Sequence, residues 1–95
     1  VDTGIGGSVA EKVGIKLQKV ATTKQVFCIT HLPQIAGMAF SHFRVEKEVK
    51  GKRTRSTIRQ LKHKERVEEL ARMSSGDKIT DASLKYAREM LRPAP

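Results

Sequence analysis

Apolar positions recur along this chain with two different periods, and the change of period marks its elements. Val9, Val13, Leu17 and Val20 are spaced by four, four and three residues, which predicts a helix over 8–21 buried along that stripe. Ser8-Val9-Ala10-Glu11 has the form of a capping box, in which the serine accepts from first-turn amides and Glu11 reaches back. Gly14 costs such a helix ~1 kcal/mol relative to alanine and marks a close approach to a neighbouring element. Gln25 to Thr30 (Gln-Val-Phe-Cys-Ile-Thr) is instead a continuous apolar run of β-favouring residues. It predicts a strand over 25–30, covered on both faces as in a parallel sheet. Pro33 interrupts any ladder just beyond it, so 32–39 reads as a short helical turn or loop.

Residues 42–49 and 54–61 alternate loosely around Lys50-Gly51-Lys52, the signature of a β-hairpin over 42–61. The helical period returns at 64–73, with Val67, Leu70 and Ala71 on one face, and Ser74-Ser75-Gly76 ends it. Thr80 is placed to cap a last helix, 81–91, whose core side is Leu84, Ala87 and Leu91. The predicted class is α/β, in the order helix–strand–β-hairpin–helix–helix. A helix followed by a buried strand is half of a βαβ unit whose first strand would lie ahead of residue 1.

Ninety-five residues support one small domain with a modest core. No apolar run approaches the ~20 residues needed to span a bilayer, and nothing at the N-terminus has the form of a signal peptide. Cys28 is the single cysteine, which excludes an internal disulfide; between Phe27 and Ile29 it reads as a small buried apolar residue. These features predict a soluble, intracellular protein with no membrane partner. The net charge of +9 changes the picture more, because it favours acidic partners, nucleic acid first. It is also concentrated: ten Lys or Arg stand against three Glu between Arg44 and Arg66.

Two short segments carry candidate chemistry. Asp2-Thr3-Gly4-Ile5-Gly6-Gly7 feeds the first predicted helix, so its amides could cradle a phosphate at the helix N-terminus. It lacks the spacing of a dinucleotide fingerprint or a P-loop, and a plain glycine turn is the other reading. Thr30-His31-Leu32-Pro33-Gln34 follows the predicted strand, at the sheet edge where open α/β folds bind ligands. A histidine there can hydrogen-bond a phosphate or position a water, or it can simply be satisfied by a backbone carbonyl.

Taken together, Asp-Thr-Gly-Ile-Gly-Gly, a helix, and Val-Phe-Cys-Ile-Thr-His-Leu-Pro-Gln-Ile-Ala resemble the C-terminal part of the RecN family. These are bacterial recombinational repair ATPases related to the SMC and ABC-type proteins. The resemblance continues through Arg-Val-Glu-Glu-Leu-Ala-Arg-Met (66–73) and Ile-Thr-Asp-Ala-Ser-Leu (79–84) and is weakest at the hairpin tip. It implies the C-terminal fragment of a P-loop ATPase head of ABC/SMC type, acting in the cytoplasm at the nucleoid in recombinational repair of DNA double-strand breaks. Asp2, Thr3, Gly4, Ile5, Gly6 and Gly7 match the D-loop, which crosses the dimer interface. His31 matches the switch histidine expected to contact the γ-phosphate and attacking water, with Thr30, Pro33 and Gln34 as the supporting loop. The parent would use ATP and Mg²⁺ and form a homodimer through ATP-sandwiched heads. The family's catalytic Asp-Glu pair would precede Val1, and the P-loop and signature motif are absent. The chain by itself is therefore expected to bind no cofactor, to hold no metal and to be inactive.

Lys50, Lys52, Arg53 and Arg55 at the hairpin tip are candidate DNA contacts. The alternative is a solvated hairpin whose charges protect an exposed edge. A different reading of the whole chain is a stand-alone basic DNA-binding module with no nucleotide role. If the strand at 25–30 lacks its neighbour, its exposed edge predicts self-association of the isolated chain.

Overall fold

A computed structural model describes residues 7–76 and 78–91. Along the chain run α1 (Gly7–Val20), α2 (Pro33–Ala36), β1 (Phe43–Lys50), β2 (Arg53–Gln60), α3 (His63–Ser75) and α4 (Asp81–Met90). The core lies between α3 and α4, where Val67, Leu70, Ala71, Ala87 and Met90 bury together with Ala36 of α2. Leu70 is fully buried at its centre. Met73, Leu84 and Leu91 pack against this cluster from its rim. The face read from the periodicity of 64–73 is thus covered, whereas on α4 the buried side is Ser83, Ala87 and Met90, with the expected Leu84 and Leu91 only partly buried.

Local chemistry fixes the ends of these two helices. At the start of α3, Glu65 Oε1 accepts from the Lys62 backbone N–H at 3.0 Å, satisfying an amide at the helix entrance. Gly76 ends it at φ 74°, a conformation that favours glycine because it has no Cβ. Thr80 caps α4 reciprocally with Ser83: the Ser83 N–H donates to Thr80 Oγ1 at 3.0 Å, and the Thr80 N–H donates to Ser83 Oγ at 2.8 Å.

β1 and β2 form a two-stranded antiparallel sheet in the register Phe43↔Gln60 through Lys50↔Arg53. Gly51 opens the turn at φ 62°, and no non-glycine residue among those described has positive φ. One positive φ at the first central position is the pattern of a type II′ turn, whose twist matches the flanking strands. The Leu61 N–H donates to the His42 carbonyl at 2.8 Å, and buried Leu61 roots the hairpin.

Three expectations are corrected. The segment 25–30 forms no strand, because the described sheet contains only β1 and β2. With no described strand beside it, Phe27 is 85% and Ile29 94% exposed, and Cys28 is exposed rather than buried. On α1 the buried side is Ala10 and Gly14, whereas Val9 and Val20 at the ends of the predicted stripe are exposed. The stripe instead lines an open groove with Lys12 and Lys16. Finally, Ser8 lies inside α1, not at its cap, because the helix already includes Gly7.

Gly14 does mark a close approach. A Cβ there would meet Met38 Sδ at 2.6 Å, and the Gln18 side-chain amide donates to the Met38 carbonyl at 3.1 Å. So α1 packs on α2 through its smallest residues, while Val9 and Val20 face outward and Val13, Ile15 and Leu17 are half-buried.

Candidate functional site

The loop that carries His31 connects segment 25–30 to α2. Thr30 Oγ1 accepts from the Leu32 N–H at 3.0 Å, a short side-chain turn that bends the backbone around His31. Pro33 is buried at the first position of α2, where its missing N–H costs no helical hydrogen bond. His31 is exposed and Gln34 half-buried, with Gln34 Oε1 buried and without a hydrogen-bond partner.

Arg66 of α3 holds the other end of α2. Its guanidinium donates to the Ala39 carbonyl at 2.9 Å and to the Ala36 carbonyl at 3.3 Å, closing the end of α2. Burial lowers the Arg66 pKa from its ordinary value. Gly37 is the second fixture. A Cβ on it would lie 2.7 Å from the Met90 carbonyl oxygen and 3.1 Å from that of Pro33, so only glycine lets α2 reach the end of α4. Sequence pattern places Arg66 within the basic block and does not single out Gly37. The small pair Ala36-Gly37 beside Pro33 is the one local signal of this packing.

The hairpin has two unlike faces. Side chains alternate along each strand and directly opposed residues share a face. The register therefore puts Phe43, Val45, Lys47, Val49, Thr54, Ser56, Ile58 and Gln60 together, and Arg44, Glu46, Glu48, Lys50, Arg53, Arg55, Thr57 and Arg59 on the reverse. At the base of this charged face the cations are paired. Arg44 lies 3.1 Å from buried Glu69 and 3.7 Å from Glu46, while Arg59 pairs with Glu65 and lies 3.7 Å from Glu46. Arg72 completes the cluster, donating through Nε to Glu69 Oε2 at 3.1 Å. The backbone amide of Lys62 and the guanidinium of Arg59 hold the Glu65 carboxyl below its ordinary pKa. Lys50, Lys52, Arg53 and Arg55 stand exposed at the other end, with no ion pair among the described residues.

The structure thus separates the two sets of candidate residues. His31, Thr30, Pro33 and Gln34 form one loop anchored on α3 and α4, and the four tip cations project at the far end of β1–β2. Asp2 to Gly6 lie outside the described residues, and Gly7 opens α1. Among the described residues no group of three or more His, Cys, Asp or Glu is placed to hold a metal ion. No described helix is long and apolar enough to cross a membrane.

Helices together with a two-stranded antiparallel hairpin make this a mixed helix-and-strand chain. Its sequence matches one group of proteins closely. Over 91 residues it is 53% identical to the DNA repair protein RecN of Rickettsia felis, covering 96% of this chain. It is 44% identical over 94 residues to that of Bacillus subtilis and 50% identical over 91 residues to that of Deinococcus radiodurans, covering 99% and 96% of this chain. These matches fall in the C-terminal region of the relatives and establish the resemblance to RecN-type DNA repair proteins. The chain spans 16–17% of the length of these relatives. No family model matches the chain.

Proposed function

We propose that this chain is the C-terminal part of a RecN-like ATPase head that acts in recombinational repair of DNA double-strand breaks. The supporting observation is its 42–53% identity to RecN proteins over nearly its whole length, both candidate loops included. Two apolar surfaces without cover, the outer stripe of α1 and the segment 25–30, fit a chain that packs against further sequence of the same head.

In this reading the loop of His31 is the switch. Thr30 and buried Pro33 shape it, and Arg66 holds the other end of α2, so the exposed imidazole is presented from a supported backbone. His31 would hydrogen-bond the γ-phosphate and orient the attacking water. Asp2 to Gly7 would form the D-loop across an ATP-sandwiched homodimer, in a cytoplasmic, nucleoid-associated protein. Phosphoryl transfer depends on positioned charge around the γ-phosphate. Mg²⁺ binding and water activation would fall to the Asp-Glu pair that the RecN resemblance places ahead of the D-loop. The chain alone is therefore proposed to be inactive.

In the longest natural form of the protein, His31→Ala should retain ATP binding, read by nucleotide fluorescence, and lose most turnover. Turnover equal to that of the unsubstituted protein would remove the role assigned to His31. An upstream segment without a strand ending in Asp-Glu would favour instead a stand-alone basic DNA-binding module.

A further inference from the structure

We infer that the tip of the β1–β2 hairpin is a sequence-independent contact for the phosphate backbone of duplex DNA, carried by Lys50, Lys52, Arg53 and Arg55. The inference rests on how the hairpin distributes its charge, and it does not depend on the nucleotide reading of His31.

Ten basic residues between Arg44 and Arg66 would say little if all were neutralised where they stand. They are divided instead. Arg44 and Arg59, nearest the helices, are committed to Glu46, Glu65 and Glu69. These pairs tie the root of the ribbon to α3 and leave little net charge there. Beyond them the same face carries Lys50 opposite Arg53 and Arg55 opposite Glu48, with Lys52 in the turn. Four cations against one carboxylate therefore occupy one end of a two-stranded ribbon, all exposed. Among the described residues the tip buries no side chain and packs on no helix.

Shape and composition select the partner. A two-stranded antiparallel ribbon is narrow enough to enter the major groove of B-form DNA, which is about 12 Å wide. The charged face has no aromatic side chain on which an unstacked base could lie, which disfavours single strands. It has no Asn or Gln to read adenine edges, and its guanidinium and ammonium groups suit phosphate oxygens, contacts that position a protein without conveying sequence. An acidic polypeptide is the other anion such a tip could take, but it lacks the regular charge density that rewards four clustered cations with counterion release.

The experiment measures binding of the longest natural form of the protein to a fluorescein-labelled 30-base-pair duplex by anisotropy, without nucleotide, across a salt series. The variant replaces Lys50, Lys52, Arg53 and Arg55 by Gln. The expected result is a salt dependence shallower by about 0.9 in log K per log salt for each phosphate left without its cation, and affinity lower by roughly tenfold or more at ~0.1 M salt. The loss should be equal on two unrelated duplex sequences. Lys50→Arg with Lys52→Arg, which keeps the charge, should bind like the unsubstituted protein. Should the fourfold variant fail to fold by circular dichroism, Lys52→Gln alone, at an exposed turn position, must still lower the slope by about 0.9. An unchanged slope and affinity in the folded variant would overturn the inference. So would a variant that loses binding to polyglutamate while keeping its affinity for the duplex.

Discussion

The α3–α4 pair and the α1 region carry the same kind of apolar stripe, and only one of the stripes is covered. On α3, Val67, Leu70 and Ala71 meet Ala87 and Met90 of α4 across a well-capped turn, and Leu70 is fully buried. On α1, Val9 and Val20 face outward, and the helix packs through Ala10 and Gly14 instead. Segment 25–30 behaves as α1 does, with Ile29 almost wholly exposed. Hydrophobic periodicity reports that a face is built to be covered; it does not report whether the covering element lies in the same stretch of chain. Burial of a leucine is worth ~1.5–3 kcal/mol only where something excludes water from it.

The largest test of this contrast sets one leucine against another. Leu70→Ala should destabilise the chain by about 2–5 kcal/mol, because it leaves a cavity in the centre of the α3–α4 core. Leu17→Ala, in the open groove of α1, should cost less than about 1 kcal/mol, since alanine favours the helix and little packing is removed. Urea midpoints of the two variants measure the difference. In the longest natural form, the proposed function expects the cost at Leu17 to rise toward that at Leu70. Equal, small costs for Leu17→Ala in both forms would mean that nothing covers α1.

A second test acts where the two regions meet. Gly37 lies at φ −65°, an ordinary helical value, so alanine is not excluded by backbone conformation. It is excluded by space, because the new Cβ would press on the backbone carbonyls of Met90 and Pro33, neither of which can swing away. Gly37→Ala should therefore cost about 1–3 kcal/mol as an overpacking change. Gly14→Ala gives the useful contrast. Its clash is with the flexible end of Met38, and the helix gains propensity, so it should be much better tolerated. If both substitutions are equally harmful by thermal melting, the distinction between rigid and yielding neighbours fails.

How much of the molecule is legible in its sequence follows from the same distinction. The positions of the helices, the hairpin turn at Gly51, the Thr80 cap and the stop at Gly76 follow from residue chemistry within a few positions, and the structure has all of them. The pairing of 25–30, the burial of Cys28 and the covered side of α1 depend on elements distant in sequence, and local pattern misplaces them. The candidate loop is legible as a motif, since His31 follows a strand-like run and precedes Pro33. Its support is not: Arg66 reaches the end of α2 across 27 and 30 residues of sequence, and nothing local to Arg66 distinguishes it from the surface cations around it.

A smaller effect probes the exposed side directly. Ile29→Thr removes apolar surface that the isolated chain does not bury, so its stability should change by no more than about 0.5 kcal/mol. The same change should reduce self-association of the isolated chain, since Phe27 and Ile29 present exposed apolar side chains there. Sedimentation velocity at high concentration reads this. A chain that is monomeric without the substitution would show that 25–30 is not a pairing edge.

The smallest expected effect concerns His42, at the join between α2 and the hairpin root. Burial, with the Arg66 guanidinium next, lowers its pKa below 6.5, and Glu69 opposes this more weakly. Its Nδ1 is buried without a hydrogen-bond partner, so a charged imidazole would add an unsatisfied donor there. Between the folded-state pKa and 6.5 the unfolded chain binds more protons than the folded one, and stability rises with pH across that window. The contribution is complete above the unfolded value and is lost as pH falls through the folded one. Glu65, whose carboxyl is lowered from 4.5, acts in a separate and more acidic window, where stability is lost as pH falls below 4.5. His42→Gln should therefore flatten the stability profile just below neutrality while leaving the acid limb in place. Parallel profiles for the two proteins between neutrality and the Glu65 window would show that His42 titrates as freely as it does in the unfolded chain, and that the hairpin root is open to water.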